Sequence, residues 1–233
     1  MSQANNAWKN DNKNLINTLL ETAKKIPPIH GYLLEEIKYL KQNIPLEASV
    51  IDFGCGNGRH LGLLEPQISQ GLGVDLNRDY LEKASALYAS KKIFFEEANI
   101  ENYHSKKLFD IAIAMYNTFG NIENKQGLVD SMMRSLKEGG IAIISTFSPN
   151  SIPYRLEMYK MLGYHDLEID RNSIKTEDGF LTQCFTKSEI QEIIPMAKIE
   201  PCTNIGWIII FKKEKNANKK SKNIRIYSNS QAR

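Results

Sequence analysis

A chain of 233 residues with 42% hydrophobic and 24% charged side chains has the composition of one folded domain with elaborations, which excludes the disordered and fibrous classes. No apolar run approaches the ~20 residues needed to cross a bilayer, and the polar start M-S-Q-A-N-N-A-W-K-N lacks the apolar core of a secretory signal, so a cytoplasmic protein without a membrane partner is expected. The net charge of +3 is unevenly placed: Lys212 to Arg233 holds eight Lys or Arg against Glu214, giving that segment +7 and the rest of the chain −4.

Leu15, Ile16, Leu19, Leu20 and Ala23 repeat at helical spacing, which predicts a helix from about Asn6 to Lys25, stopped by Pro27 and Pro28. Leu33, Leu34, Ile37, Leu40 and Ile44 mark a second helix before Pro45. Residues 1–45 thus form a pair of helices that pack on the rest or cover it. His30 and Tyr32, at the start of the second, are expected in surface or core roles.

The stretch Ala48 to His60, A-S-V-I-D-F-G-C-G-N-G-R-H, is where chemistry first shows. Val50, Ile51 and Phe53 read as a buried strand, and Gly54, Gly56 and Gly58 as the turn out of it. Glycine reaches positive φ without steric cost and lets a backbone approach a ligand, so alternate glycines after a strand form a cradle for a small molecule. A helix beginning at Arg59 points its N–H groups toward the same place. The dinucleotide fingerprint G-x-G-x-x-G needs a third glycine at position 59, where Arg59 stands. The next strand, Leu72 to Leu76, ends in Asp75, 17 residues beyond Gly58 and close to the offset at which an acid accepts hydrogen bonds from a ribose diol.

Asn77 can cap the helix that carries Leu81, Ala84, Leu87 and Tyr88. Lys92 to Glu97 is a third strand, followed by Ala98, Asn99 and Ile100, and Phe109 to Met115 is a fourth. Leu128, Met132 and Leu136 mark a helix ended by Gly139 and Gly140, and Ile141 to Thr146 supplies a fifth strand. Strands and helices alternating this regularly build a parallel sheet with helices on both faces.

Over roughly residues 30–147 the chain resembles the class I S-adenosylmethionine-dependent methyltransferases. The carriers of that resemblance are Asp52 with G-x-G-x-G, Asp75, the residues after the third strand, and the end of the fourth. It implies an α/β Rossmann-like fold with a seven-stranded, mostly parallel sheet closed by an antiparallel hairpin, and S-adenosyl-L-methionine as cofactor. It implies that Asp52 orients the methionine end, that Gly54, Cys55, Gly56, Asn57 and Gly58 line the methionine and ribose, and that Asp75 and Leu76 meet the ribose. Asn99 stands where the family often has an acid for the adenine amino group; with Ile100 it completes that pocket. Met115, Tyr116 and Asn117 border the sulfonium and the substrate, Tyr116 and Asn117 orienting the acceptor. The D/N-P-P-Y signature of nucleobase amine methylation is absent, since the chain reads M-Y-N-T-F-G-N.

From Phe147 to Phe185 the pattern adds a cap to the minimal fold (148–185): a helix over Pro153 to Leu162, then a hairpin from Leu167–Lys175 and Phe180–Phe185 turning at Asp178-Gly179. Such an addition commonly covers the substrate in small-molecule members of the family. One or two of Tyr154, Tyr159, Tyr164, His165 and Arg171 are expected to touch it, with His165 a candidate base. Thr186 to Glu189 is a capping box. Trp207 to Phe211 is a strand inside the sheet, and the segment near Ile199, with Pro201, lies at an edge. The domain runs over 46–213, and the Asn-, Lys- and Ser-rich tail 214–233 is expected to be disordered.

Cys55, Cys184 and Cys202 are odd in number and widely spaced, which argues against a disulfide framework or a zinc site, and His60, His104 and His165 lack metal-ligand spacing. No metal is expected. The resulting expectation is methyl transfer to N or O of a small-molecule acceptor. The alternatives are an RNA or protein methyltransferase guided by the basic tail and a non-catalytic module that binds the adenosyl ligand; an NAD-linked oxidoreductase is disfavoured by Arg59. The small-molecule acceptor is preferred over nucleic acid, and the oligomeric state is left open.

Overall fold

A computed structural model describes residues 15–215. The expected helical start at residues 6–14 and the tail from 216 onward lie outside the described residues.

Seven strands form one sheet in the order β3-β2-β1-β4-β5-β10-β9: Ala48–Phe53 (β1), Ile68–Asp75 (β2), Ile93–Glu97 (β3), Phe109–Ala114 (β4), Leu136–Phe147 (β5), Lys198–Pro201 (β9) and Gly206–Lys212 (β10). The first five run parallel, and β10 inserts antiparallel between β5 and the edge strand β9. Pro201 sits in that edge strand, where its missing N–H costs least.

Strand periodicity divides the core. Val50, Ile113, Ile143 and Ile208 turn to one face, against Ile29, Tyr32 and Leu40 of α2 (Pro27–Asn43), Leu61 and Leu64 of α3 (Arg59–Leu64) and Met158 of α7 (Ile152–Met161). Their neighbours Ile51, Ala112, Ile144 and Ile209 turn to the other, against Leu128 and Met132 of α6 (Lys125–Ser135) and Ile190 of α8 (Lys187–Ile193). With both faces covered, β1 is buried along its whole length. Asn77 caps α4 (Arg78–Tyr88) by accepting the Tyr80 N–H, and the Thr186–Glu189 capping box opens α8. Among the described residues no helix is long and apolar enough to cross a membrane.

Several boundaries differ from the sequence reading, β2 beginning at Ile68 rather than Leu72 among them. Pro27 and Pro28 do more than stop α1 (Leu15–Lys24): they form the first turn of α2, where a missing N–H is no loss. Helix α6 ends at Ser135, before Gly139 and Gly140. Those glycines lie within β5, where Gly139 takes φ +79 and its N–H reaches Lys213 O, while Lys213 N–H returns to Gly140 O. The short helix α5 (Thr118–Asn121) follows β4. The cap is a helix plus three strands, Glu168–Asp170 (β6), Ser173–Lys175 (β7) and Leu181–Gln183 (β8), in a small antiparallel sheet; its turn at Asp178-Gly179 is as expected, with Gly179 at φ +87.

Candidate active site

Where β1, β2 and β4 end at their carboxyl edge, a cavity of about 220 Å³ opens. That is many times the ~10–15 Å³ needed to admit one water, so a small molecule has room to enter. Leu19 and Leu20 of α1 close one side, and Arg155, Met158 and Tyr159 of α7 close another.

The glycine turn is a backbone device. Gly54, Gly56 and Gly58 take φ of +71, +52 and +76, and Gly54 N–H and Cys55 N–H both donate to Val74 O, tying the turn to β2. A Cβ on Gly58 would stand 2.8 Å from the Phe95 ring. Gly58→Ala is therefore expected to cost about 1–2 kcal/mol from the left-handed backbone alone, read as a lowered unfolding midpoint in urea. Asp75 braces the same turn: one oxygen accepts Gly56 N–H at 2.8 Å and the other Asn77 N–H at 2.9 Å. A carboxylate has about four lone-pair positions, so it retains capacity for a ligand. Burial raises its pKa, against the backbone bonds from Asn77, Gly56 and Leu76.

Eleven of the thirteen residues expected at the site line the cavity: Gly54, Cys55, Gly56 and Asn57; Asp75 and Leu76; Asn99 and Ile100; Met115, Tyr116 and Asn117. Gly58 and Asp52 do not. Asp52 is buried, neither oxygen has a hydrogen-bond partner among the described residues, and His60 Nδ1 is 3.9 Å away. Asn57 reaches α1 by donating to Asn17 Oδ1 at 2.9 Å. Asn99 accepts Glu101 N–H through its carbonyl. Burial, then Asp75 and Asp52, push the Cys55 thiol well up, so it is no nucleophile at neutral pH.

At the end of β4, Tyr116 and Asn117 take φ of +49 and +64, two successive non-glycine residues in the left-handed region. The surrounding structure holds them there. Tyr116 N–H lies 2.8 Å from both Glu36 Oε1 and Ser145 Oγ. Asn117 Oδ1 accepts Thr146 Oγ1–H and Phe147 N–H, and its amide donates toward Asn121, Thr182 and Gln183 O. That exhausts the side chain's hydrogen-bonding capacity. The expectation that Asn117 itself orients an acceptor therefore gives way to a positioning role, joining β4, β5 and β8. Among the described residues the Tyr116 hydroxyl bonds only to Met158 Sδ, at 3.9 Å; burial first, then Tyr159 and Glu36, raise its pKa, so it stays protonated.

Sequence reasoning missed a charged group behind this wall. Glu36 of α2 is fully buried, accepts the Ser145 hydroxyl as well as Tyr116 N–H, and lies 3.6 Å from Arg59 Nη2. Burial acts to raise its pKa, but His60, Arg59 and Ser145 outweigh it and hold the group below the ordinary value. Burial, then Arg59, push His60 down to about 4, against Glu36. Arg59 Nη2 is 2.9 Å from His60 Nε2, and a guanidinium only donates, so the neutral ring accepts at Nε2 and carries its proton on Nδ1. Of the five cap residues, only Tyr159 lines the cavity; His165 is exposed and does not.

A family model described as "Methyltransferase domain" matches residues 27–191. The chain belongs to the methyltransferase domain family. A ubiquinone biosynthesis O-methyltransferase of Rickettsia typhi is 29% identical over 175 residues, which make up 72% of this chain and just under two thirds, 66%, of that protein. Its counterpart from Rickettsia canadensis is 28% identical over 201 residues, 84% of this chain and 79% of the other. A solved S-adenosylmethionine-dependent methyltransferase from Clostridium acetobutylicum superposes with a TM-score of 0.62 at 16% identity, covering 86% of this chain and all of that one, and so shares its fold.

Proposed function

We propose that this methyltransferase moves the methyl group of S-adenosylmethionine to an oxygen of a small-molecule acceptor by in-line displacement. The observation that carries the reading is the single cavity shared by the Gly54–Gly58 turn, Asp75 and Tyr116. The O-methyltransferase names of the two Rickettsia relatives support oxygen as the accepting atom.

The residues fit the cofactor. A turn with three positive φ values presents backbone where side chains would block approach, Asp75 keeps spare lone pairs beside it, and Asp52 is a buried carboxyl without a hydrogen-bond partner among the described residues. When bound, S-adenosylmethionine supplies a methyl group already activated on a sulfonium. Asp75 would accept from the ribose hydroxyls, and Asp52, buried behind the cavity wall, would act on the methionine end through water. Leu19, Leu20, Met115, Phe147 and Met158 keep water from the reacting atoms. The protein's remaining task is to hold an acceptor lone pair in line with the methyl group, roughly 3–3.5 Å away. Tyr116, with its proton retained, can donate to that acceptor but cannot deprotonate it, and the His60 lone pair is taken by Arg59. Acceptors whose oxygen is already ionised or readily loses its proton are therefore favoured.

Calorimetric titration with S-adenosylmethionine, S-adenosylhomocysteine and NAD, followed by labelled-methyl transfer to an acceptor panel, tests the reading. NAD binding without adenosyl-ligand binding would overturn it, and ligand affinity with no turnover on any acceptor would make the chain a binding module. Asp75→Ala is expected to weaken S-adenosylhomocysteine tenfold to a hundredfold, the value of roughly 1.5–3 kcal/mol for bonds to a charged group. Unchanged affinity in the folded variant would remove Asp75 from the site.

A further inference from the structure

Arg155 in α7 is 1% exposed and lines the cavity, yet none of its bonds goes to a carboxylate. Nη1 donates to Cys184 Sγ at 3.0 Å, and Nη2 donates to the Tyr159 hydroxyl at 3.0 Å and to Thr182 Oγ1 at 2.5 Å. Nε has no partner among the described residues. A guanidinium carries five N–H donors and does not lose its charge, so Nε–H and one Nη1 hydrogen are unspent and the positive charge is unbalanced. Two rings lie close to the guanidinium: Cζ is 4.7 Å from the Phe147 centroid and 5.7 Å from that of Tyr159. Ring faces attract a cation without neutralising it.

A buried charge is retained at large cost unless something pairs with it. A cross-link between α7 and β8 needs no charge, since a neutral amide could bridge Thr182 and Tyr159. The cavity wall beside Arg155 is built from Tyr116, Phe147, Met158 and Tyr159, surfaces suited to a flat ring.

We infer that the acceptor is a small aromatic acid whose carboxylate pairs with Arg155 while its ring lies among Tyr116, Phe147, Met158 and Tyr159. This assignment rests on reading the cavity as the methyl-transfer site. It makes Arg155 the residue that selects anionic over neutral acceptors, because a neutral analogue leaves the guanidinium unpaired in the dry wall.

The test uses the whole protein saturated with S-adenosylhomocysteine and two probes of the same shape, 4-hydroxybenzoate and 4-hydroxybenzamide, titrated calorimetrically. The carboxylate is expected to bind at least about tenfold more tightly than the amide. Arg155→Met should bring the carboxylate to the amide's level while leaving S-adenosylhomocysteine affinity unchanged, and Arg155→Lys should recover part of the difference. Equal affinity of the native protein for the two probes, or no binding of the carboxylate at millimolar concentration, would overturn the assignment even if both variants failed to fold. Failure of S-adenosylhomocysteine to bind counts against the cofactor reading instead. The probe pair, titrated without it, then judges Arg155 separately.

Discussion

Replacing Glu36 by alanine is expected to lower the unfolding free energy by about 3 kcal/mol, the low end of the ~3–5 kcal/mol lost when one partner of a buried pair is removed. The low end applies because Arg59 is partly exposed and can turn toward water once its partner is gone. The carboxylate also holds the Ser145 hydroxyl and Tyr116 N–H, so its loss loosens the contact that keeps Tyr116 left-handed. Glu36→Gln retains an acceptor oxygen and should cost only about 1–2 kcal/mol. Because the folded pKa is depressed, the stabilisation is present above the ordinary carboxylate value of ~4.3 and is lost as pH falls through the lower folded value. Urea unfolding of the three proteins at pH 7 measures this. An alanine variant within 1 kcal/mol of the native protein, on the order of the scatter for surface changes, would show that Glu36 does not organise the interior.

Glu36 and Arg155 share the reason they escaped the sequence reading. A lone charge in a helix is ordinarily read as solvated, yet Glu36 falls on the stripe Ile29, Tyr32, Leu33, Leu40, and Arg155 on the stripe Met158, Tyr159. Helical periodicity places both facing inward, and a charge on an apolar stripe was the available signal. By contrast the glycine turn and Asp75 were legible because they answer to backbone demands that few residue types meet: positive φ at Gly54 and Gly58, and an acceptor for the Gly56 N–H. The sheet was legible for a related reason. Strands buried on both faces read as unbroken apolar runs, and Pro201 marks an edge. Boundaries set by tertiary pairing were not. Gly139 and Gly140 look like a helix stop, but both exchange backbone hydrogen bonds with Lys213, which no local pattern reveals. Strand β6 was folded into a longer hairpin arm because its three side chains are all exposed and carry no alternation.

Asp52 and His60 pull stability in opposite directions with pH, and only one of them acts above pH 6.5. Asp52 is 1% exposed, and neither oxygen is hydrogen-bonded among the described residues. Burial, then Asp75, with Glu36 also adding and Arg59 opposing, pushes its pKa up to about 8. Between its unfolded value of ~3.9 and that folded value the native state holds a proton that the unfolded chain has lost. Stability therefore falls as pH rises, by roughly 1.4 kcal/mol per unit. His60, pushed down to about 4, does the reverse: from there to ~6.5 the unfolded chain holds the extra proton, and stability rises with pH at the same rate. The two slopes cancel across pH 4 to 6.5 and leave Asp52 alone above it. The depressed Glu36 and Asp110 act only in the acid range, and Asp75, raised by burial, contributes a slope of the same sign as that of Asp52 starting from the ordinary carboxylate value. The native protein is thus expected to lose on the order of 2 kcal/mol between pH 6.5 and 8, and Asp52→Asn to lose much less. Urea unfolding at constant ionic strength, without ligand, gives both slopes. Saturating S-adenosylmethionine should flatten the native slope if its methionine ammonium sits beside Asp52, because a cation there favours the carboxylate. Equal slopes in the native protein and Asp52→Asn, without ligand, would remove Asp52 as the titrating group.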